Sequence, residues 1–165
     1  MKSACQKNNL PAPVTLDTYD LRILRTLQQD SRRTTKEIAA AVGLSVTPVY
    51  ERIRRLEKEG YIAGYTARLN ANKLNRGLIV FCHVKLLRLN RDIAYGFTEL
   101  IQGIPEVVEC YNTSGSFDYL LKIHAADMES YRDFVLNRLG TLESLSSIES
   151  TFVMDSVKEY AGIPI

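Results

Sequence analysis

The sequence predicts an α+β protein built in two unlike parts, three short helices followed by the element order β-α-β-β-α-β. Two observations carry that expectation. Apolar residues recur at helical spacing from Asp17 as far as Gly60, and the periodicity then turns toward strand-like alternation. The charge divides at about the same place: residues 1–70 hold 12 Lys/Arg against 7 Asp/Glu, a balance of +5, and residues 71–165 hold 9 against 12, a balance of −3. The basic part is the candidate for a polyanionic partner.

The elements follow in order. Residues 1–15 are polar, carry Pro11 and Pro13 and show no period, which reads as a flexible arm. Asp17 is placed to cap a first helix running to about Gln29, with Asp17 and Asp20 at the positive end of its dipole. Thr34 followed by Glu37 is a capping-box pattern, and Ile38, Ala39 and Val42 give a brief second helix that Gly43 can end. Ser45 is an N-cap candidate for the third helix, and Pro48 falls in its first turn, where a missing N–H breaks no helical bond. Val49, Ile53 and Leu56 then face inward, and Gly60 ends the helix.

Tyr61–Leu69 is rich in β-favouring residues and reads as an extended connection or strand. Leu78–Leu87 alternates as a strand, and a helix is expected from Asp92, closed by Gly103 and Pro105. Val107–Thr113 and Phe117–His124 read as strands joined across Ser114-Gly115-Ser116; Asp127 caps another helix, and Ile148–Val157 is a last strand. This is the ferredoxin-like order, with two helices on one face of a four-stranded antiparallel sheet and the other face wanting a partner. The expected domains are an arm over 1–15, a three-helix unit over 16–60, a linker or strand over 61–76, the ferredoxin-like unit over 77–160 and a tail over 161–165.

Composition narrows the functional classes. A chain of 165 residues with 45% apolar residues can bury one ordinary core or two small ones. Its longest apolar stretch, Leu78–Cys82, is far short of the roughly 20 residues a membrane-spanning helix needs, and no signal-peptide block precedes it. No membrane partner and a cytoplasmic location are therefore expected. Cys5, Cys82 and Cys110 have no C-x-x-C spacing, and His83 and His124 lack a third ligand at metal spacing, so no metal site is expected. No P-loop, G-x-G-x-x-G or G-x-S-x-G occurs.

Three short helices with a glycine turn before the third spell a helix-turn-helix, whose last helix enters the DNA major groove from its N-terminal end. Thr47, Tyr50 and Glu51 are placed to meet base edges, and Arg54, Arg55 and Lys58 to neutralise phosphates. With Ser45 and Pro48 at the start of the helix, these are the candidate DNA-facing residues. The competing interpretation is a plain three-helix module with a solvated charged face.

The same residues carry a resemblance. Val42-Gly43-Leu44-Ser45, Thr47-Pro48-Val49, Glu51-Arg52-Ile53 and Arg55-Leu56-Glu57 resemble the N-terminal signature of the Lrp/AsnC (feast/famine) transcriptional regulators. The likeness continues through Ser114-Gly115, Phe117–Lys122, Asp127-Met128, Tyr131-Arg132 and Val153-Met154, covering about residues 16–158. It implies a winged helix-turn-helix on double-stranded DNA and a ferredoxin-like domain that pairs through its sheet into homodimers, often assembled into rings, commonly octamers. It also implies a small effector, usually an amino acid, bound between dimers near the 115–119 loop, and no catalytic residues or cofactor. Gly115, Ser116, Asp118, Tyr119, Met128, Ser150 and Thr151 match positions near that effector or the assembly contact. Asp118 would accept from its ammonium group; the alternative is a turn residue bonded to local backbone. Sirohaem decarboxylases share the two-domain plan, so an enzyme handling a tetrapyrrole through histidines is the rival expectation.

Overall fold

A computed structural model describes residues 15–88, 90–158 and 162–165 of the chain. All but Thr15 of the expected arm lies outside the described residues. The chain divides into two compact units, with the boundary between Ala67 and Arg68. The expected tail does not stand apart: Lys158 and residues 162–165 group with the helices.

The helical unit contains α1 (Thr18–Gln29), α2 (Thr35–Val42) and α3 (Val46–Lys58). Its helix starts are set by local chemistry. Asp17 accepts from the Asp20 amide while Asp20 accepts from the Asp17 amide, and Thr34 and Glu37 do the same for α2. Gly43 ends α2 in the left-handed conformation (φ 76°), which an L side chain adopts only at a cost. Ser45 is the N-cap of α3 but makes no side-chain cap bond. The reason is Pro48: it occupies the third helical position, whose N–H would be a natural donor to Ser45, and proline has none. Ile23, Ile38, Ala39, Val42, Val49 and Leu56 form the core. Residues 61–70 join no strand, so Tyr61–Leu69 takes the extended-connection form of the expectation.

The second unit contains β1 (Leu78–Leu86), α4 (Arg91–Gln102), β2 (Val107–Asn112), β3 (Tyr119–Ala125), α5 (Met128–Phe134) and β4 (Leu145–Phe152). The sheet is antiparallel in the order β2-β3-β1-β4. Val80, Cys82 and Val84 of β1 and Leu121 and Ile123 of β3 are buried in a core with Phe97 and Ile101 of α4 and Tyr131 and Phe134 of α5. The alternate residues, among them Ile79, Phe81, His83, Leu120, Lys122 and His124, lie on the opposite sheet face and are half-buried.

Three boundaries differ from expectation. α4 starts at Arg91 because Asn90, rather than Asp92, accepts from the Ile93 amide as N-cap. β3 starts at Tyr119, since Phe117 and Asp118 form the turn into it. β4 runs over 145–152 instead of 148–157: the Val153 amide still bonds Ile79 near the start of β1, and beyond it the strand has no neighbour, leaving Met154 and Val157 exposed.

Candidate nucleic-acid interface and effector region

α3 is held by its apolar side and presents its polar side. Val49 and Leu56 are fully buried, each contributing on the order of 1.5–3 kcal/mol by leaving water. Ser45, Thr47, Pro48, Tyr50, Glu51, Arg54 and Lys58 are all exposed, so the structure brings seven of the eight sequence-chosen residues onto one open surface.

Arg55 is the exception: it is only half-exposed and its guanidinium is engaged within the helical unit. Its Nη2 donates to Asp20 Oδ2 at 2.5 Å, and Asp20 is only 1% exposed. Arg52, which sequence reasoning passed over, donates through Nη1 to Asp17 at 2.6 Å and to Asp20 at 2.7 Å. The two arginines thus pin α3 to the start of α1, because a buried carboxylate demands charged partners beyond the Asp17 amide, and α3 supplies them. The hydrogen bonds it donates to Asp20 and Asp17 hold the Arg52 guanidinium above its ordinary pKa, and the Asp20 amide, followed by Arg52, holds Asp17 below the usual carboxylate range.

The candidate effector residues fall in three places. Gly115 and Ser116 are exposed in the turn before β3, with Gly115 at φ 120°. Asp118 is in part a turn residue: its Oδ2 accepts from the Leu86 amide at 2.8 Å. That amide points to the β3 side of β1, beyond the last β1–β3 pair at Val84 and Tyr119, so the carboxylate satisfies a donor that the ladder no longer reaches. Tyr119 points into the core instead of the turn. It is 5% exposed, with its ring 4.7 Å from that of Phe97, because it is the first inward-facing residue of β3.

Met128 and Ser150 do share a cavity, a groove of about 580 Å³ also lined by Glu129, Tyr131, Arg132, Val135, Leu136 and Phe152. α5 passes into a π-helical turn over Val135–Leu139, and the turn supplies Val135 and Leu136 to the groove wall. At its base the Tyr131 and Ser150 hydroxyls are 2.5 Å apart, and burial pushes the Tyr131 phenol up to about 12 and the neighbouring Cys82 thiol to about 11. Thr151 faces the other way, opposite Phe81 on the far side of the sheet. The turn precedes β3 and Met128 follows its end, so the two lie at opposite ends of a strand whose seven residues span roughly 20 Å at ~3.3 Å per residue, while Ser150 is level with Leu121 but two strands across the sheet. The groove walls at Tyr131, Arg132, Val135, Leu136 and Phe152 escaped sequence reasoning; the alternation of apolar residues in β4 and along α5 was the only available signal.

Among the described residues no three His, Cys, Asp or Glu side chains gather as a metal would require. A helix-turn-helix with an open recognition helix, joined in one chain to a ferredoxin-like unit with a ligand-sized groove, defines a DNA-binding regulator with a ligand-binding domain. The comparisons agree. Residues 16–63 match the family described as winged helix-turn-helix DNA-binding, and residues 79–163 match the Lrp/AsnC ligand binding domain. The leucine-responsive regulatory proteins of Klebsiella pneumoniae and Escherichia coli K12 are each 42% identical over 144 residues, covering 87% of this chain and 88% of each relative. A Neisseria meningitidis transcriptional regulator in complex with L-Met superposes with a TM-score of 0.88 at 33% identity, covering 91% of this chain and 97% of that one. An AsnC family regulator from Agrobacterium tumefaciens gives 0.86 at 34% identity, with 90% and 97% covered. The chain belongs to the Lrp/AsnC family of transcriptional regulators.

Proposed function

We propose that the protein binds operator DNA as a homo-oligomer, acts in the cytoplasm without catalysis, and changes its operator affinity or assembly when an amino acid binds. The observation that carries the DNA assignment is the open polar side of α3. Thr47, Tyr50 and Glu51 read base edges, while Ser45, Pro48, Arg54 and Lys58 lie against the sugar-phosphate backbone. Arg55 contributes by fixing the helix.

Two copies pair through the sheet face that bears Ile79, Phe81 and Leu120, which α4 and α5 leave uncovered. Pairing would set two recognition helices for successive major grooves, about 34–36 Å apart. The amino-acid class is supported by family membership and by the methionine complex of the Neisseria relative. Gly115, Ser116, Asp118, Met128, Ser150 and Thr151 remain the candidate effector set, but the turn and the groove of one copy are too far apart for one amino acid to touch both. They form a single site only where the turn of one copy meets the groove of another.

Crosslinking the protein to fragmented genomic DNA and recovering the bound sites tests the reading. A shared motif with two half-sites one helical turn apart is the expected result. Recovery no better than that of a Thr47→Ala/Arg54→Ala double variant would refute it.

A further inference from the structure

The residues that close the described chain, Gly162-Ile163-Pro164-Ile165, lie against α1. Gln28 meets Ile163 with both ends of its amide: Nε2 donates to the Ile163 carbonyl at 2.8 Å, and Oε1 accepts from the Ile163 amide at 3.1 Å. One turn earlier on the helix, Arg25 Nε donates to the Ile165 carbonyl at 2.5 Å. A primary amide that pairs with both polar groups of one residue reads an extended backbone as a neighbouring strand would, while asking nothing of that residue's side chain. Arg25 adds a charge-assisted bond two residues further along. Gly162 completes the fit, since a Cβ there would overlap Cγ and Cδ of Gln28.

We propose that the Arg25–Gln28 side of α1 is a docking site for an extended peptide, and that its occupant is the chain's own Gly162–Ile165 segment. Gln28 and Arg25 select the backbone, and Gly162 permits the approach. The partners are 135 and 140 residues apart in sequence, so the tether supplies the effective concentration that three surface hydrogen bonds alone would lack. The docked segment makes a second covalent connection between the ligand-binding and DNA-binding units, besides the one at Ala67/Arg68. A change at the end of β4 can therefore reach α1 through the chain.

Amide exchange on the full chain, resolved by residue, tests the docking. The Ile163 N–H should exchange at least about tenfold more slowly than in a free peptide of residues 158–165. Gln28→Ala and Gly162→Ala should each return it to the peptide rate, while the Ile23 and Val49 amides stay protected. Peptide-rate exchange in the unaltered protein, or protection that survives both variants, overturns the proposal. The identity of the occupant is tested in a Cys5→Ser/Cys110→Ser background with Gln29→Cys and Pro164→Cys, treated with a short bismaleimide and run on a denaturing gel. A link within one chain is expected. A covalent dimer would assign the site to a second copy, and no link at all would refute the contact.

Discussion

Arg54 and Arg55 are neighbours in sequence with opposite environments, and replacing each by alanine should produce failures in different assays. Arg54 is exposed and makes no hydrogen bond or ion pair among the described residues, so Arg54→Ala should leave stability within about 0.5 kcal/mol. It should weaken operator binding by about 1–3 kcal/mol if it reads a base, or lower the salt slope by about one if it meets a phosphate. Arg55→Ala instead removes a 2.5 Å charge-assisted bond to the buried carboxylate of Asp20. Such a bond is worth roughly 1.5–3 kcal/mol, and the Arg52 contact at 2.7 Å retains part of the compensation, so about 1–2 kcal/mol is the expected loss. For a unit of this size that lowers the melting temperature by roughly 5–15 °C. Operator binding should then fall only as the helical unit unfolds, and recover on cooling. Thermal melts followed by helical circular dichroism, with DNA binding measured at matched salt, decide the matter. An Arg55→Ala protein that melts like the parent and loses operator affinity as Arg54→Ala does would refute the structural role assigned to Arg55.

Other outcomes follow from single contacts. Asp118→Ala leaves the Leu86 amide without its acceptor and should cost about 1–3 kcal/mol in denaturant unfolding, whereas Asp118→Asn, which keeps a carbonyl oxygen for that amide, should stay near parental stability while weakening amino-acid binding in calorimetry. Phe81→Glu places a charge on the uncovered sheet face and should shift sedimentation toward monomer; an unchanged sedimentation profile would remove that face from the assembly. Stability should decline under acid. The Tyr111 hydroxyl and then Lys122 hold Glu109 below its ordinary pKa, and backbone amides do so for Asp17, Glu37 and Asp127. Because these folded-state values are depressed, their contribution is complete above the ordinary carboxylate range and disappears as pH falls through the folded values, so unfolding midpoints should be flat near neutrality and drop below about pH 4.

The helical unit was legible because its signals are local. Asp17 with Asp20, and Thr34 with Glu37, act across three residues: the Thr34–Glu37 capping box and the Asp17 cap stand where the spacing placed them, and Asp20 closes a second capping box with Asp17. What escaped depends on distant partners. Asp20 looks like a helix-dipole acid until the fold brings in Arg52 and Arg55, 32 and 35 residues away. The same holds in the sheet. That Asp118 serves Leu86 follows from the pairing of β1 with β3, which ends at Val84 and Tyr119 and leaves the next amide on that edge facing the turn, and no single-strand pattern reports it. The end of β4 was misplaced for a related reason: β1 begins at Leu78, so past the Val153 amide's bond to Ile79 it has almost no length left to pair with Met154–Val157. The groove wall depends on a π-helical turn over Val135–Leu139, a departure from 3.6-residue geometry that apolar spacing does not report.

The candidate effector residues looked like one site because a linear reading has no measure of which end of a strand a residue occupies. Once the turn at Gly115 and the groove at Met128 are placed at opposite ends of β3, the proposed site needs two copies, and that requirement has a thermodynamic consequence. A ligand bound across two copies stabilises the contact between them by its own binding free energy, in proportion to RT ln(1 + [L]/Kd). Reciprocity makes protein concentration a determinant of ligand affinity, since any condition that favours the assembly favours the ligand equally. Calorimetric affinity for an effector should therefore strengthen as the protein concentration rises through the assembly range and level off above it. A site complete within one copy, whether in the groove or in the turn, would give the same affinity at every concentration. Titrations at several dilutions of the same protein stock distinguish the two arrangements, and a flat series would return the effector to a single end of the sheet.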